Sequence, residues 1–236
     1  GQNTQSVNVP LENIDWSTYL CGGGNDDLLD VKSDNQNSIY VTGHTESTTI
    51  NFGIGSLIGN FSGSIDAIVA KFNTISEPIW MSIIGGAGNT STCPGVTGID
   101  QAFAMDIRKS DNHTFITGKT TSNDFPFPTI NNGLYTKSNY HCSGSNSEAF
   151  VAELDANGSL YWATYFGNND EEYFNDLVLD GLGNLYCVGK SGATVISNEF
   201  VPQTGTQYQS TTGNGLIIKF NNSNDLVWTT LINTNK

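Results

Sequence analysis

Carboxylates are the main candidates for chemistry in this chain, in which 23 Asp and Glu residues stand against 9 Lys and Arg. Asp30, Asp106 and Asp176 each lie just before or within a predicted strand. Carboxylate pairs do the acid–base work of many hydrolases, but a catalytic pair breaks the symmetry of a repeat, whereas these residues recur along the chain. We therefore interpret them as hydrogen-bonding partners of turns and backbone, not as catalytic residues.

Two acidic segments, Asp26–Asp27 and Asp170–Glu172, could offer oxygen ligands to calcium. They lack the alternating spacing of a calcium-binding loop, which favours solvated acidic loops. The three histidines, His44, His113 and His141, have no zinc-ligand spacing, and the sequence contains neither a nucleophile elbow nor a phosphate-binding loop. We predict no catalytic residues, no metal and no cofactor.

Three short blocks recur along the chain and define the elements that carry these residues. The first block is a strand that begins with a tryptophan, the second is a short strand that ends in glycine, and the third begins at Asp66, Glu148 or Asn214. The third block starts 14 positions before the next tryptophan in every copy. Three agreements without a gap indicate an internal repeat.

Each repeat contains four predicted strands, which is the strand count of a β-propeller blade, and no window shows convincing helical periodicity. We predict an all-β chain with repeats over 16–72, 80–154 and 162–220 and a partial fourth repeat over 228–236. This corresponds to about three complete four-stranded blades plus the start of a fourth. Three blades cannot close a ring, so we expect the chain to be part of a larger propeller, completed by further blades or another subunit.

Tryptophan recurs at one repeat position, in Trp16, Trp80, Trp162 and Trp228. Such a ladder could stack on sugars, but a large side chain at the same phase of every repeat more commonly fills the space between blades. We predict that these four residues form the repeat core in equivalent, largely buried positions.

At these blocks the sequence resembles the SBBP family, the bacterial repeat named for seven-bladed β-propellers. The resemblance rests on Gly85–Gly86, on Gly183–Tyr186, on the Ser-Asn-Asp-Phe-Pro segment 122–126 and on Asp66–Phe72. It covers nearly the whole chain from Leu11 onward. The resemblance implies a bacterial secreted or cell-surface protein and assigns no catalytic residue to this chain.

Two of the four cysteines, Cys93 and Cys142, lie in extra loop sequence of the second repeat, whereas Cys21 and Cys187 replace ordinary repeat residues. Loop cysteines pair readily in an oxidising compartment. We predict a Cys93–Cys142 disulfide, with two free thiols as the alternative.

The formal net charge of −14 disfavours binding to nucleic acids, and no apolar run is long enough to span a membrane. Propeller blades present variable loops on a rigid scaffold, and the second repeat carries the insertion 87–98. We therefore expect a non-catalytic secreted or cell-surface module for binding, adhesion or structural assembly, with a glycan or protein ligand at the second-repeat loops. The alternative is a carbohydrate-active propeller enzyme that acts on surface or environmental glycans.

Overall fold

The computed structural model describes residues 16–20, 22–91, 93–128, 147–167, 170–192 and 214–232. In these ranges the chain forms strands and no helix, which confirms the all-β prediction. The strands are β1 (Asp26–Ser33), β2 (Ile39–Thr45), β3 (Ser56–Ile58), β4 (Asp66–Phe72), β5 (Pro78–Ile84), β6 (Asp100–Arg108), β7 (His113–Thr120), β8 (Glu148–Leu154), β9 (Leu160–Phe166), β10 (Glu172–Leu179), β11 (Leu185–Ser191), β12 (Gly215–Phe220) and β13 (Leu226–Ile232).

The strands form three sheets. The first has the order β1-β2-β4-β5-β3, the second β6-β7-β8-β9 and the third β10-β11-β12-β13. All neighbouring pairs are antiparallel except β3, which runs parallel to β5 at the edge of the first sheet. Each sheet is thus a meander of four strands, and the first has one short strand added.

Side chains of Asp or Asn begin many of the tight hairpin turns. Asp34 Oδ1, for example, accepts hydrogen bonds from the backbone N–H groups of Gln36 and Ser38. The same arrangement recurs in the turns that begin at Asn73, Asp155, Asp180 and Asn221. Such side chains satisfy the N–H groups that a turn leaves unpaired, which explains the polar residues between the recurring strands.

A glycine follows the second strand's apolar residues in every sheet because a β-bulge lies opposite it. The bulges fall between Leu28 and Asp30 in the first sheet and at the matching positions of the other two. A Cβ on Gly43, Gly118 or Gly189 would collide with the backbone of the bulged strand. The glycine of the second block is therefore a packing requirement.

The tryptophan strand is the fourth strand of each sheet, not the first. In each sheet a hairpin joins the third and fourth strands in the same register. Its cross-strand pairs are Lys71 with Trp80, Glu153 with Trp162 and Lys219 with Trp228. The expectation of a fourth blade beginning at 228–236 is therefore wrong for its described part, because β13 completes the third sheet. The sheets are offset by one strand from the sequence repeats.

The three sheets stack in chain order, with apolar cores between neighbours. β6 packs against β1, β2 and β4, and β10 packs against β6, β7 and β8. The core between the first two sheets includes Tyr40, Trp80 and Met105, and the core between the second and third includes Trp162 and Phe220. We call each of these two packed interfaces a seam.

Candidate binding surface

The insertion of the second repeat forms a loop that is fixed at both ends. The N–H of Gly88 donates to Asp124 Oδ1 at 2.8 Å, and the N–H of Asn89 donates to Asn123 Oδ1 at 2.6 Å. Near the other end, the Gly98 carbonyl accepts N–H groups from the first sheet's side of the seam. The described parts of the loop, 87–91 and 93–98, are therefore each held by hydrogen bonds to neighbouring segments.

Two apolar anchors hold the middle of this loop while its tip faces solvent. Cys93 is fully buried and Val96 is 5% exposed. In contrast, Thr90, Ser91 and Pro94 are exposed. The second-repeat loops predicted as a contact surface therefore offer exposed polar groups on a rigid base, in the described parts 87–91, 93–98 and 120–128.

Cys93 is disulfide-bonded, and Cys187 is a free, buried thiol. Burial raises the pKa of Cys187 far above its ordinary value, so this thiol is unreactive. Cys142 and Cys21 lie outside the described residues. The Cys93–Cys142 pairing stays a prediction.

Asp30, Asp106 and Asp176 bind backbone, as their interpretation as hydrogen-bonding partners predicted. Each accepts the N–H of the residue that follows it. Their positions are not equivalent, however: Asp106 pairs across the sheet with Phe115, the position that Lys32 takes opposite Tyr40 in the first sheet. Asp30 and Asp176, aligned without a gap from the sequence, do share one register.

The first residue of each sheet is a carboxylate whose role sequence reasoning missed. Asp26 accepts hydrogen bonds from the Thr45 and Ser47 hydroxyls, and Asp100 accepts them from the Thr120 and Ser122 hydroxyls. In the third sheet the Ser191 hydroxyl donates to Glu172 at 3.2 Å. The one available signal was a hydroxyl residue at the end of each second strand.

The acidic segments are therefore not simply solvated loops. Glu172 is 1% exposed, and Asp26 is tied to the N–H of Gly22 as well as to two hydroxyls. Asp27 faces His44 at 3.5 Å, and Glu171 pairs with Lys190 at 2.9 Å. In the described part of the chain, no group of three His, Cys, Asp or Glu side chains could hold a metal ion.

The histidines lie apart. His44 Nε2 contacts the side chain of Gln101 across the first seam, and burial lowers its pKa. His113 contacts Glu153 at 2.7 Å, where Arg108 also binds. His141 lies outside the described residues.

The four tryptophans do not share one degree of burial. Trp80 and Trp162 are buried, at 3% and 0% exposed, whereas Trp228 is half-buried. Trp16 is 45% exposed and corrects the expectation of a buried core position. Residues 16–20 form no strand, and the centroid of the Trp16 ring lies 6.1 Å from that of Phe72.

A groove of about 710 Å³ lies at the opposite ends of the strands, between the β6–β7 and β10–β11 turns. Arg108 and Lys109 line it together with Asp111 and Asp180. The Arg108 guanidinium is already bound by Asp111 and Glu153, so it has no strong demand for an anionic ligand.

No protein-family model matches the sequence, and no curated protein is significantly similar to it. The resemblance to the SBBP repeat therefore rests on the motifs alone. Within the residues that the structure describes, no helix has the length and apolarity needed to cross a bilayer.

Proposed function

We propose that the chain is a non-catalytic segment of an extracellular or cell-surface β-propeller whose second-repeat loops bind a glycan. The observation that carries the binding role is the exposed polar tip of the loop 87–98 on its fixed base. A rigid scaffold that presents one longer loop is a common design for recognition.

The propeller architecture is supported by the way in which each sheet covers the one before it. We call the face of a sheet that meets the following sheet its trailing face. At matching positions of the trailing faces, the first sheet buries Tyr40, Val69 and Trp80, and the second buries Phe115, Val151 and Trp162. Equivalent strands thus make equivalent contacts at both seams, as blades of a propeller do.

Hydrogen bonds between first strands add to this support. Asp30 Oδ2 accepts the N–H of Met105 at 2.9 Å, which joins β1 to β6. Asp106 Oδ2 accepts the N–H of Leu179 at 2.8 Å, which joins β6 to β10. The first strands therefore follow one another closely, as the inner strands of propeller blades do around a central axis.

The trailing face of the third sheet is not covered by any part of the chain that the structure describes. Val178 and Val188 on this face are 55% and 40% exposed, and Trp228 is half-buried. The positions of Val188 and Trp228 are buried at both seams, where they are taken by Thr42 and Trp80 and by Thr117 and Trp162. The third face therefore suits another sheet of the same kind, from further blades or from another subunit.

A glycan fits the chemistry of the loop tip. Hydroxyl groups of Thr90 and Ser91 and the exposed Asp124 carboxylate can form hydrogen bonds with sugar hydroxyls, and the partly exposed Phe127 ring lies in the same loop region as Asp124. The carbohydrate-active alternative gains no support from the close carboxylates Asp66 and Asp100, because both are fully buried and a sugar cannot reach them.

A glycan array with two matched variants tests the binding role. Ser91 and Ser223 both follow an Asn by two residues in the same kind of turn, and both are exposed. Ser91→Arg should abolish or strongly reduce binding to the glycans that the wild type selects, whereas Ser223→Arg should leave it unchanged. If Ser91→Arg binds these glycans as well as Ser223→Arg and the wild type do, the ligand binds elsewhere. Turnover of a bound glycan would support the enzyme alternative.

A further inference from the structure

Two buried carboxyl groups face each other across the first seam. Asp66 begins β4 of the first sheet, Asp100 begins β6 of the second, and both are 0% exposed. The residues just before them, Ile65 and Ile99, form a parallel bridge that joins the two sheets. A Cβ on Gly85 would lie within 3.0 Å of both Asp66 Oδ1 and Asp100 Oδ2, so these two oxygens converge on one point.

The two carboxyl groups differ in how well their negative charge is satisfied. Asp100 accepts hydrogen bonds from the Gly86 N–H and from the hydroxyls of Thr120 and Ser122. Asp66 accepts the N–H of Ser62 on Oδ2 at 2.5 Å, but its Oδ1 is buried without a partner. Three donors stabilise an ionised carboxylate, whereas one donor does not compensate a buried charge.

No positive charge is available to compensate the pair in the described part of the chain, where no Lys, Arg or His forms an ion pair with either residue. Among the described residues, Asp124 acts on both carboxyl groups, and Tyr165, which also has Glu148 nearby, lies close to Asp100. None of these groups supplies a cation. Two neighbouring buried carboxylates without a cation cannot both be ionised at low cost.

From this geometry we propose that Asp66 carries a proton on Oδ1 and shares it with Asp100 Oδ2, so that a carboxyl–carboxylate hydrogen bond joins the first two sheets. Loss of this proton places two like charges at the seam and weakens it. The seam is therefore a pH-sensitive contact that is tight in mildly acidic medium and looser in alkaline medium.

The direction of the pKa shifts agrees with this proposal. Burial, with the neighbouring Asp100 and Asp124 charges, raises the pKa of Asp66 from 3.8 to about 7. Burial also raises the pKa of Asp100, against its hydrogen-bond donors. A raised pKa means that the folded state binds more protons than the unfolded state between about pH 4 and pH 7, so stability should fall as the pH rises through this window.

The chain itself suggests the variant that tests the proposal. Asn214 precedes β12 at the position that Asp66 takes in β4, and its carbonyl accepts the N–H of Ser191. In Asp66→Asn the amide can accept the Ser62 N–H and donate to Asp100 at any pH, so it imitates the protonated form. Glu77→Gln, at an exposed turn, removes one negative charge away from the seam and serves as the control.

Thermal unfolding should be measured at about pH 5.5 and about pH 8. We expect the wild type and Glu77→Gln to melt at least about 4 °C higher at the lower pH, and Asp66→Asn to lose most of this difference by melting higher at pH 8. An unchanged pH dependence in Asp66→Asn would refute the proposal. So would an increase in the wild-type Tm at pH 8 on addition of millimolar Ca²⁺ that Asp66→Asn does not show, since Asp66 Oδ1 would then be a cation ligand.

Carboxyl ¹³C NMR of the wild type gives a test that needs no variant. Two Asp carboxyl resonances should titrate together, with one step close to neutral pH. Titration of every Asp carboxyl below about pH 5 would overturn the proposal of a shared proton. Because this measurement uses the wild type, it decides the question even if Asp66→Asn does not fold.

Discussion

Replacement of Trp162 by alanine should destabilise the chain strongly. The side chain is 0% exposed and packs edge-on against Phe220, with ring centroids 5.4 Å apart at 74°. A tryptophan buries on the order of 200 Å², which at about 25 cal/mol per Å² gives an upper estimate of about 5 kcal/mol. Large-to-small substitutions of this kind usually cost about 3–5 kcal/mol, because the cavity closes only in part. We therefore expect Trp162→Ala to lose about 3–5 kcal/mol of unfolding free energy.

Trp16→Ala is the matched comparison, because Trp16 occupies the same repeat position with a different environment. Its side chain is 45% exposed and its ring contacts Phe72 at a centroid distance of 6.1 Å. Since about half of the area is buried, the expected loss is about 2 kcal/mol or less. Urea unfolding followed by tryptophan fluorescence and far-ultraviolet circular dichroism measures both variants. Equal losses would show that repeat position, and not packing between sheets, sets the cost. A loss below about 1 kcal/mol for Trp162→Ala would show that packing between the sheets contributes little.

Two further predictions concern the disulfide and the third sheet. Peptide mapping without reductant should recover Cys93 linked to Cys142, with Cys187 alkylated only after unfolding; a peptide that links Cys93 to Cys21 would contradict the pairing. The native material should be larger than the 25.4 kDa of this chain, and Val188→Asp on the uncovered trailing face should reduce its size in light scattering, whereas Ile75→Asp at an exposed turn should not. A wild-type chain that stays monomeric at all concentrations, without aggregation, would refute the docking role of this face.

The constant spacing that indicated a repeat corresponds to a hairpin in the structure, although the two strands were assigned to different repeats. The constant interval between the third block and the next tryptophan corresponds to a short turn between the third and fourth strands, so the same pairing appears as Lys71 with Trp80, Glu153 with Trp162 and Lys219 with Trp228. A tight hairpin tolerates no insertion without a change of register, and this is why the interval is visible in one sequence.

The grouping of strands into sheets was not predictable in the same way. A repeated order of four strands reads the same from any starting strand, so the sequence could not show that the tryptophan strand closes a sheet rather than opens one. The hydrogen bonds decide this: Trp228 lies on β13, which pairs with β12 of the third sheet. For the same reason Trp16 was expected to be buried, although its segment forms no strand in the structure.

The acidic residues that bind within their own turn were predictable from the sequence, whereas those that bind distant segments were not. Asp34 and Asp180 act within their own turns, and such local roles follow from sequence. Asp100 has partners 14 to 22 positions away, in Gly86, Thr120 and Ser122, and no local pattern marks it as buried. Carboxylates that join distant segments therefore need the fold before they can be recognised.

At each seam, an acidic residue of one sheet lies close to an acidic residue of the next sheet. Asp66 meets Asp100 at Gly85 in the first seam, and in the second seam a Cβ on Gly167 would meet both Glu148 and Glu172. Asp66 and Glu148 are 0% and 1% exposed. On the third sheet, whose trailing face the described residues leave uncovered, the same position is the exposed Asn214. An amide there can donate a hydrogen bond to the first carboxylate of a following sheet without a shared proton. A sheet that docks on this face should therefore bind with less dependence on pH than the first two sheets show for each other.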